Sequence, residues 1–347
     1  MFKKFLVLNR VVFNLGFSFF LTSIIALQTL YSQDPIFTQF YSNPVYLNPS
    51  FSGSNKCPRV VSNYRNQWPG FSGNFITTAV TYDQGVDVLG GGFGLIFLTD
   101  QISKTLKSNE VSLSYAYHQH VSRTFTINYG MQGTFIQKSI DVSNLTFSDM
   151  IHPRRGFVFS TRDLVSAEPV NIFDVSVGIV GYSDKFYLGF AAHHLSEPRL
   201  SLLTQSSPFA KNAILYRRYT VHAGTEILLG STSLYTPTKS KETLSPSVIY
   251  SKQGEFQQLN LGLYYKKGIY VIGGWFRCHP DFSNFSGDSF IVTLGLESNI
   301  IRVGYSYDVT TSKLSIFSGG SHEISLALRL YCKPKKESIR IMTCPTF

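Results

Sequence analysis

From Val111 to His118 the chain alternates: Val111, Leu113, Tyr115 and Tyr117 take the odd positions, and Ser112, Ser114, Ala116 and His118 the even ones. The rhythm returns in Leu259–Leu263, Ile301–Asp308 and Ile324–Leu330. Successive side chains of a strand point to opposite faces, so each segment has one greasy side and one small or polar side. A helix turns by 3.6 residues and would scatter such a pattern around its surface. Helical and coiled-coil folds are excluded on this ground. Gly, Ser, Thr, Tyr and Phe also dominate where strong helix formers would be expected.

A soluble sandwich also alternates, and two observations favour a membrane barrel over it. The segments run about 10 to 15 residues, whereas soluble strands average about five or six and a tilted transmembrane strand needs about 9 to 11. Tyr crowds their ends, at Tyr115, Tyr117, Tyr264, Tyr265, Tyr305 and Tyr307, where an aromatic girdle meets the headgroups. Charged residues are only 15% of the chain, against about 25% in soluble domains. Fourteen segments are readable: 58–67, 72–84, 88–101, 106–119, 123–138, 172–182, 185–194, 215–229, 244–252, 256–266, 269–278, 288–297, 300–309 and 322–331. The expectation is an all-β, antiparallel transmembrane barrel with both termini on the periplasmic side. Links on that side are short, as at Ser183-Asp184, Lys267-Gly268 and Ser298-Asn299, with an exception near 230–243. Longer links near 139–171, 195–214, 279–287 and 310–321 fall on the opposite side.

The long apolar run Val11–Leu27, preceded by Lys3, Lys4 and Arg10, reads as a signal peptide over residues 1–32, with an anchoring helix as the alternative. The predicted organisation continues with a leader at 33–56, the barrel at 57–332 and a basic periplasmic tail at 333–347. The formal charge of +10 is too dispersed to argue for nucleic acid.

The ordered series Gln33-Asp34-Pro35-Ile36-Phe37-Thr38-Gln39-Phe40, Leu47-Asn48-Pro49-Ser50-Phe51-Ser52-Gly53-Ser54, Asn63–Gly70, Gly90–Leu95, Phe186–Phe190 with His193-His194-Leu195, Gln253–Phe256, Gly304–Asp308 and Ser318–Leu326 resembles the PorP/SprF family of Bacteroidota outer-membrane proteins. The likeness covers essentially the whole mature chain. The tail from Cys332 to Phe347 is similar to the gliding-adhesin, SprF-like branch. This resemblance implies a non-enzymatic outer-membrane barrel of the type IX secretion and gliding system, with no cofactor. It would serve export or attachment of a large adhesin with a type-B C-terminal sorting domain. Implied partners are that C-terminal domain, the translocon or periplasmic ring lipoproteins, and outer-membrane lipid. A porin or small-solute transporter is the alternative.

Asn43-Pro44 and Asn48-Pro49 predict consecutive turns in the leader. Two readings stay open for it: a plug or docking surface in the periplasmic mouth, or a leader packed on the first strand. Arg65, Arg218, Glu226, Glu297, Arg302, Asp308 and Arg329 fall on small-or-polar strand faces, with His222. They form either a charge-paired lumenal network or an ordinary wet lumen. Phe282 and Phe285 are candidate outer partner contacts. His118 and His120 share a face, whereas His193 and His194 are expected on opposite faces; no third ligand completes a metal site with either pair. Cys57, Cys332 and Cys344 are the disulfide candidates, with Cys57 joined to the tail or Cys332 joined to Cys344, and Cys278 is left unpaired.

Overall fold

The computed structural model describes residues 34–55, 57–71, 73–141, 145–152, 154–159, 169–200, 214–229, 242–281, 284–311 and 318–331. The predicted signal peptide, the basic tail and Phe282 lie outside these residues, as does the side chain of Phe285.

Long strands follow one another: β1 (Arg59–Gln67), β2 (Phe75–Val86), β3 (Gly91–Ile102), β4 (Leu106–Ser122), β5 (Phe125–Ile140), β6 (Val170–Tyr182) and β7 (Phe186–His193). Next comes β8, formed by Arg218–Thr225 and, after a break at Glu226, Ile227–Leu228. Then follow β9 (Glu242–Gln253), β10 (Phe256–Lys267), β11 (Tyr270–Asp281), β12 (Asn284–Glu297), β13 (Ile301–Thr310) and β14 (Ser321–Arg329). Each pairs antiparallel with its neighbours, and β1 pairs with β14 from Arg59↔Arg329 to Gln67↔Ser321. Both pieces of β8 pair with β9, so the fifteen segments of the sheet are fourteen strands in a closed cylinder. Closure leaves no exposed sheet edge, which is what a bilayer without hydrogen-bonding solvent demands.

The distribution of side chains inverts that of a soluble protein. On β4, Ser112 and Ser114 are buried while Val111 and Leu113 are exposed. Likewise Thr77, Thr81 and Asp83 of β2 point inward, and Val80 and Tyr82 outward. Apolar atoms that face out would cost about 25 cal/mol per Å² in water, so this surface belongs in acyl chains. Among the described residues no helix is long and apolar enough to cross a membrane.

The cylinder has two distinct ends. The end where β1 starts and β14 finishes, called the terminal end below, has links 87–90, 123–124, 183–185, 268–269 and 298–300, plus the longer 229–241. At the opposite, loop end lie 141–169, 194–217 and 311–320. The expected long link at 279–287 is overturned: β11 and β12 stay paired to Asp281↔Asn284. Pro280 and the Gly287 bulge region break the alternation there without breaking the ladder, so the sequence pattern stopped short of the hairpin tip.

Candidate functional site

The leader runs through the barrel. Asp34 sits at the loop end, where its amide donates to Gln253 Oε1 at 3.1 Å and its carboxylate meets Arg218 at 3.0 Å. From there the chain descends to Asn55, beside Gly85 near the terminal end of β2. On the way it touches nearly every wall. The Thr38 and Gln39 amides donate to the Glu323 carboxylate at 2.6 and 3.1 Å, and the Thr38 hydroxyl adds a third bond at 2.7 Å. Asn63 donates to Ser42 at 2.6 Å, and Asn43 donates to Thr81 at 2.8 Å. Asn48 reaches the carbonyls of Ile179 and Phe190 and the His222 ring at 3.2, 3.1 and 3.0 Å. Ser52 shares a hydrogen bond with Ser114 at 2.7 Å, and the His118 ring donates to the Ser52 carbonyl at 3.0 Å. Neither sequence reading foresaw this reach, since the leader is neither confined to a mouth nor packed mainly on β1.

Local chemistry explains the path. Asn43 and Asn48 precede Pro44 and Pro49, which stand at the first position of the helix α1 (Pro44–Leu47) and of the 3₁₀ turn Pro49–Phe51. Proline lacks an N–H and is pre-set for that position, and each Asn side chain caps the amide beyond it. The two turns are therefore short helices, compact enough to lie inside a cylinder. The wall makes room with glycine: a Cβ on Gly130 would meet the backbone of Ser50 and Pro49, and one on Gly178 would meet the Asn48 side chain. Apolar contacts complete the fit, with Phe40 against Trp275, Tyr264, Ile249, Val271 and Ile291, and Phe51 against Val180, Tyr182 and Tyr187.

The charged residues fall into three groups. At the loop end, Arg65 lies 3.4 Å from Asp308 and 3.6 Å from Glu323, and Arg277 meets Asp308 at 2.8 Å. Across the lumen, His194 bridges two carboxylates, Nε2 to Asp34 at 2.7 Å and Nδ1 to Asp174 at 2.9 Å. Both ring nitrogens must donate, which makes the ring an imidazolium. Burial pushes the His194 pKa down, but the Asp34 carboxylate and the hydrogen bond to Asp174 outweigh it and raise the pKa to about 9. Burial would raise the Asp34 carboxyl, yet His194 and Arg218 hold it well below the usual range. The third group lies toward the terminal end. There Glu297 receives Arg302 at 2.9 Å, Lys266 at 3.0 Å and Arg329 at 3.5 Å, and Arg59 clasps Asp83 at 2.8 and 3.1 Å.

Arg65 and Asp308 thus meet directly, as do Glu297, Arg302 and Arg329, whereas Arg218 stands in the separate group around Asp34. Glu226 occupies the break in β8, where its amide donates to the Lys185 carbonyl at 2.8 Å. Asp34, Asp83, Asp174, Arg277 and Glu323 were missed in the sequence. All but Asp34 are isolated charges on the small-residue side of an alternating strand, which was the available signal. The expectation that His193 and His194 face opposite ways is corrected. His194 has φ 58 just past the end of β7, which swings its ring inward beside His193, with centroids 6.4 Å apart. Cys57 is disulfide-bonded and Cys278 is a buried free thiol; Cys332 and Cys344 lie outside the described residues.

A closed barrel with a leader threaded through it can be compared with known proteins. Residues 29–328 match the family model described as "Type IX secretion system membrane protein PorP/SprF". The chain belongs to the PorP/SprF family. It is accordingly a type IX secretion membrane protein, and its barrel places it in the outer membrane. Comparison with curated protein sequences gave no match. Among solved structures, the KdgM porin aligns with TM-score 0.35 and 8% identity over 79% of this chain and 99% of that one. A Pseudomonas aeruginosa FadL homologue aligns with TM-score 0.40 and 12% identity over 83% and 93%. Acinetobacter baumannii Omp33 aligns with TM-score 0.40 and 8% identity over 80% and 100%.

Proposed function

We propose that this PorP/SprF chain is a non-enzymatic, non-conducting accessory barrel that the type IX machinery needs to export, or hold at the surface, a large adhesin with a type-B C-terminal sorting domain. One observation carries the non-conducting part: the lumen is occupied from one end to the other by residues 34–55, hydrogen-bonded to walls all around it. A solute pore needs a continuous wet path, and each bond to the leader works against one. Family membership supports a place in the secretion machinery. The asymmetry of the links supports an orientation with loops 141–169 and 194–217 outward, meeting the adhesin domain. The terminal end and the tail would then face the translocon or periplasmic ring lipoproteins. In the same reading residues 1–32 are removed on export, and the disulfide of Cys57 ties the tail across the β1–β14 seam through Cys332 or Cys344.

Two measurements test this. Deleting the gene should abolish export or surface retention of its adhesin, and normal export without it would end the reading. Purified barrel in planar bilayers should be silent; a steady open channel would favour the rival solute transporter.

A further inference from the structure

Asp34 of the leader fastens both stems of the loop that joins β7 to β8. One stem begins at His194 and the other runs into Arg218, and a single Asp34 carboxylate oxygen meets His194 Nε2 at 2.7 Å and Arg218 at 3.0 Å. Gln253 adds a third tie. It accepts from the Asp34 amide at 3.1 Å, while its own side-chain amide donates to the Tyr216 carbonyl at 3.2 Å.

The stems fold into the mouth instead of splaying from it. The Leu215 amide donates to the Pro198 carbonyl at 3.0 Å, and Arg217 reaches the Leu195 carbonyl at 3.3 Å and Glu197 at 3.4 Å. Leu200 and Leu215 are buried against Ile136 and Ile172, inward-facing residues of β5 and β6. This seat carries backbone strain, because His194 and Glu197 hold φ of 58 and 44. Residues with a Cβ keep that conformation only where surrounding contacts impose it. Contacts that hold strained stems are the ones a partner can release.

The other end of the leader is bonded toward the terminal end, where Ser52 meets Ser114 and the His118 ring. Between the two ends Asn48 closes α1 through its backbone amide and caps the 3₁₀ turn through its side chain. One residue therefore belongs to both turns, and they shift as one piece.

We propose that the leader is a relay through the barrel, so that docking at the loop 194–217 is read at the terminal end. A partner that draws the stems from their seat withdraws the ties on Asp34, and the freed leader shifts against Ser114 and His118. The proposal rests on the reading that this loop faces outward to the adhesin domain, and it names how occupancy of that site is reported across the membrane.

Hydrogen exchange of the purified barrel tests the coupling from both ends. Leu215→Ala unseats a stem without touching the leader, since its apolar neighbours are Ile136, Ile172 and Leu200. It should raise exchange of the Thr38 and Gln39 amides about tenfold and of the distant Ser52 amide about threefold, with β3 unchanged. Coupling is reciprocal, so Asp34→Ala should speed exchange of the Leu215 amide about tenfold. Heat-modifiable gel mobility reports that each variant has folded, and Arg217→Gln, which only loosens one stem from the other, is the milder second variant. Parental protection at Thr38 and Gln39 when the stem is unseated, a response there that never reaches Ser52, or a Leu215 amide indifferent to Asp34→Ala would overturn the relay. No adhesin enters these measurements, so their failure is distinct from a failure of the export reading.

Discussion

Raising the pH should loosen the upper end of the leader before it unfolds the barrel. His194 holds Asp34 and Asp174 together only while both of its nitrogens are protonated. Its pKa rises from 6.5 to about 9 on folding. At about 1.4 kcal/mol per pH unit, the bridge contributes about 3 kcal/mol. A raised pKa fixes the sign: the contribution is complete below pH 6.5 and is lost as the pH climbs through about 9. Asp34 works in the other direction, since its depressed carboxyl holds down to pH values below its usual range and fails only in strong acid. Hydrogen exchange at the amides of Thr38 and Gln39 reads this end of the leader, because both donate to Glu323. Normalised to intrinsic rates and to β1, their protection should fall about a hundredfold between pH 7 and pH 10, as about 3 kcal/mol requires. His194→Gln should show the loss already at pH 7, since a neutral amide carries no positive charge and has its donors on one nitrogen, whereas the carboxylates sit on the two separate nitrogens of the ring. Protection that stays flat with pH, or a variant indistinguishable from the parent, would refute the reasoning.

Three further outcomes follow from the same geometry. Gly130→Val drives a side chain into the backbone of Ser50; it should displace the leader from an intact barrel and produce a measurable conductance in planar bilayers. Asn48→Ala removes bonds to Ile179, Phe190 and His222 together with a helix cap. At about 1 kcal/mol for each of these four bonds it should raise exchange of the 45–52 amides about a thousandfold, with β5 unaffected. Val292→Arg, placing a cation on the outward face of β12, should cost about 2–4 kcal/mol in urea-dependent folding into lipid vesicles. Thr293→Ser, on the lumenal face, should cost little.

The strands were legible because lipid on one side and a packed lumen on the other enforce strict alternation, as in Val111–His118 and Ile301–Asp308. Legibility failed where that constraint lapses. Past Cys278 the pairing shifts register and Pro280 enters, so the β11–β12 hairpin ran beyond the readable pattern. The leader has no period at all. Its fold rests on two Asn-Pro caps, visible in the sequence, and on partners such as Glu323 and His222, more than a hundred residues away. Separation of that size leaves no local trace. The same holds for the bridge of Asp34, His194 and Asp174, which depends on one left-handed residue at the end of β7.

Asp34 and Arg329 stand at opposite mouths of one cylinder. A polypeptide laid along the axis and continuous with the first stave bonds to both seam strands, Ser42 with Asn63 and Gln39 with Glu323, and such bonds form most readily while the last stave has not yet docked on the first. Assembly is therefore wrapping around a core rather than corking a finished vessel.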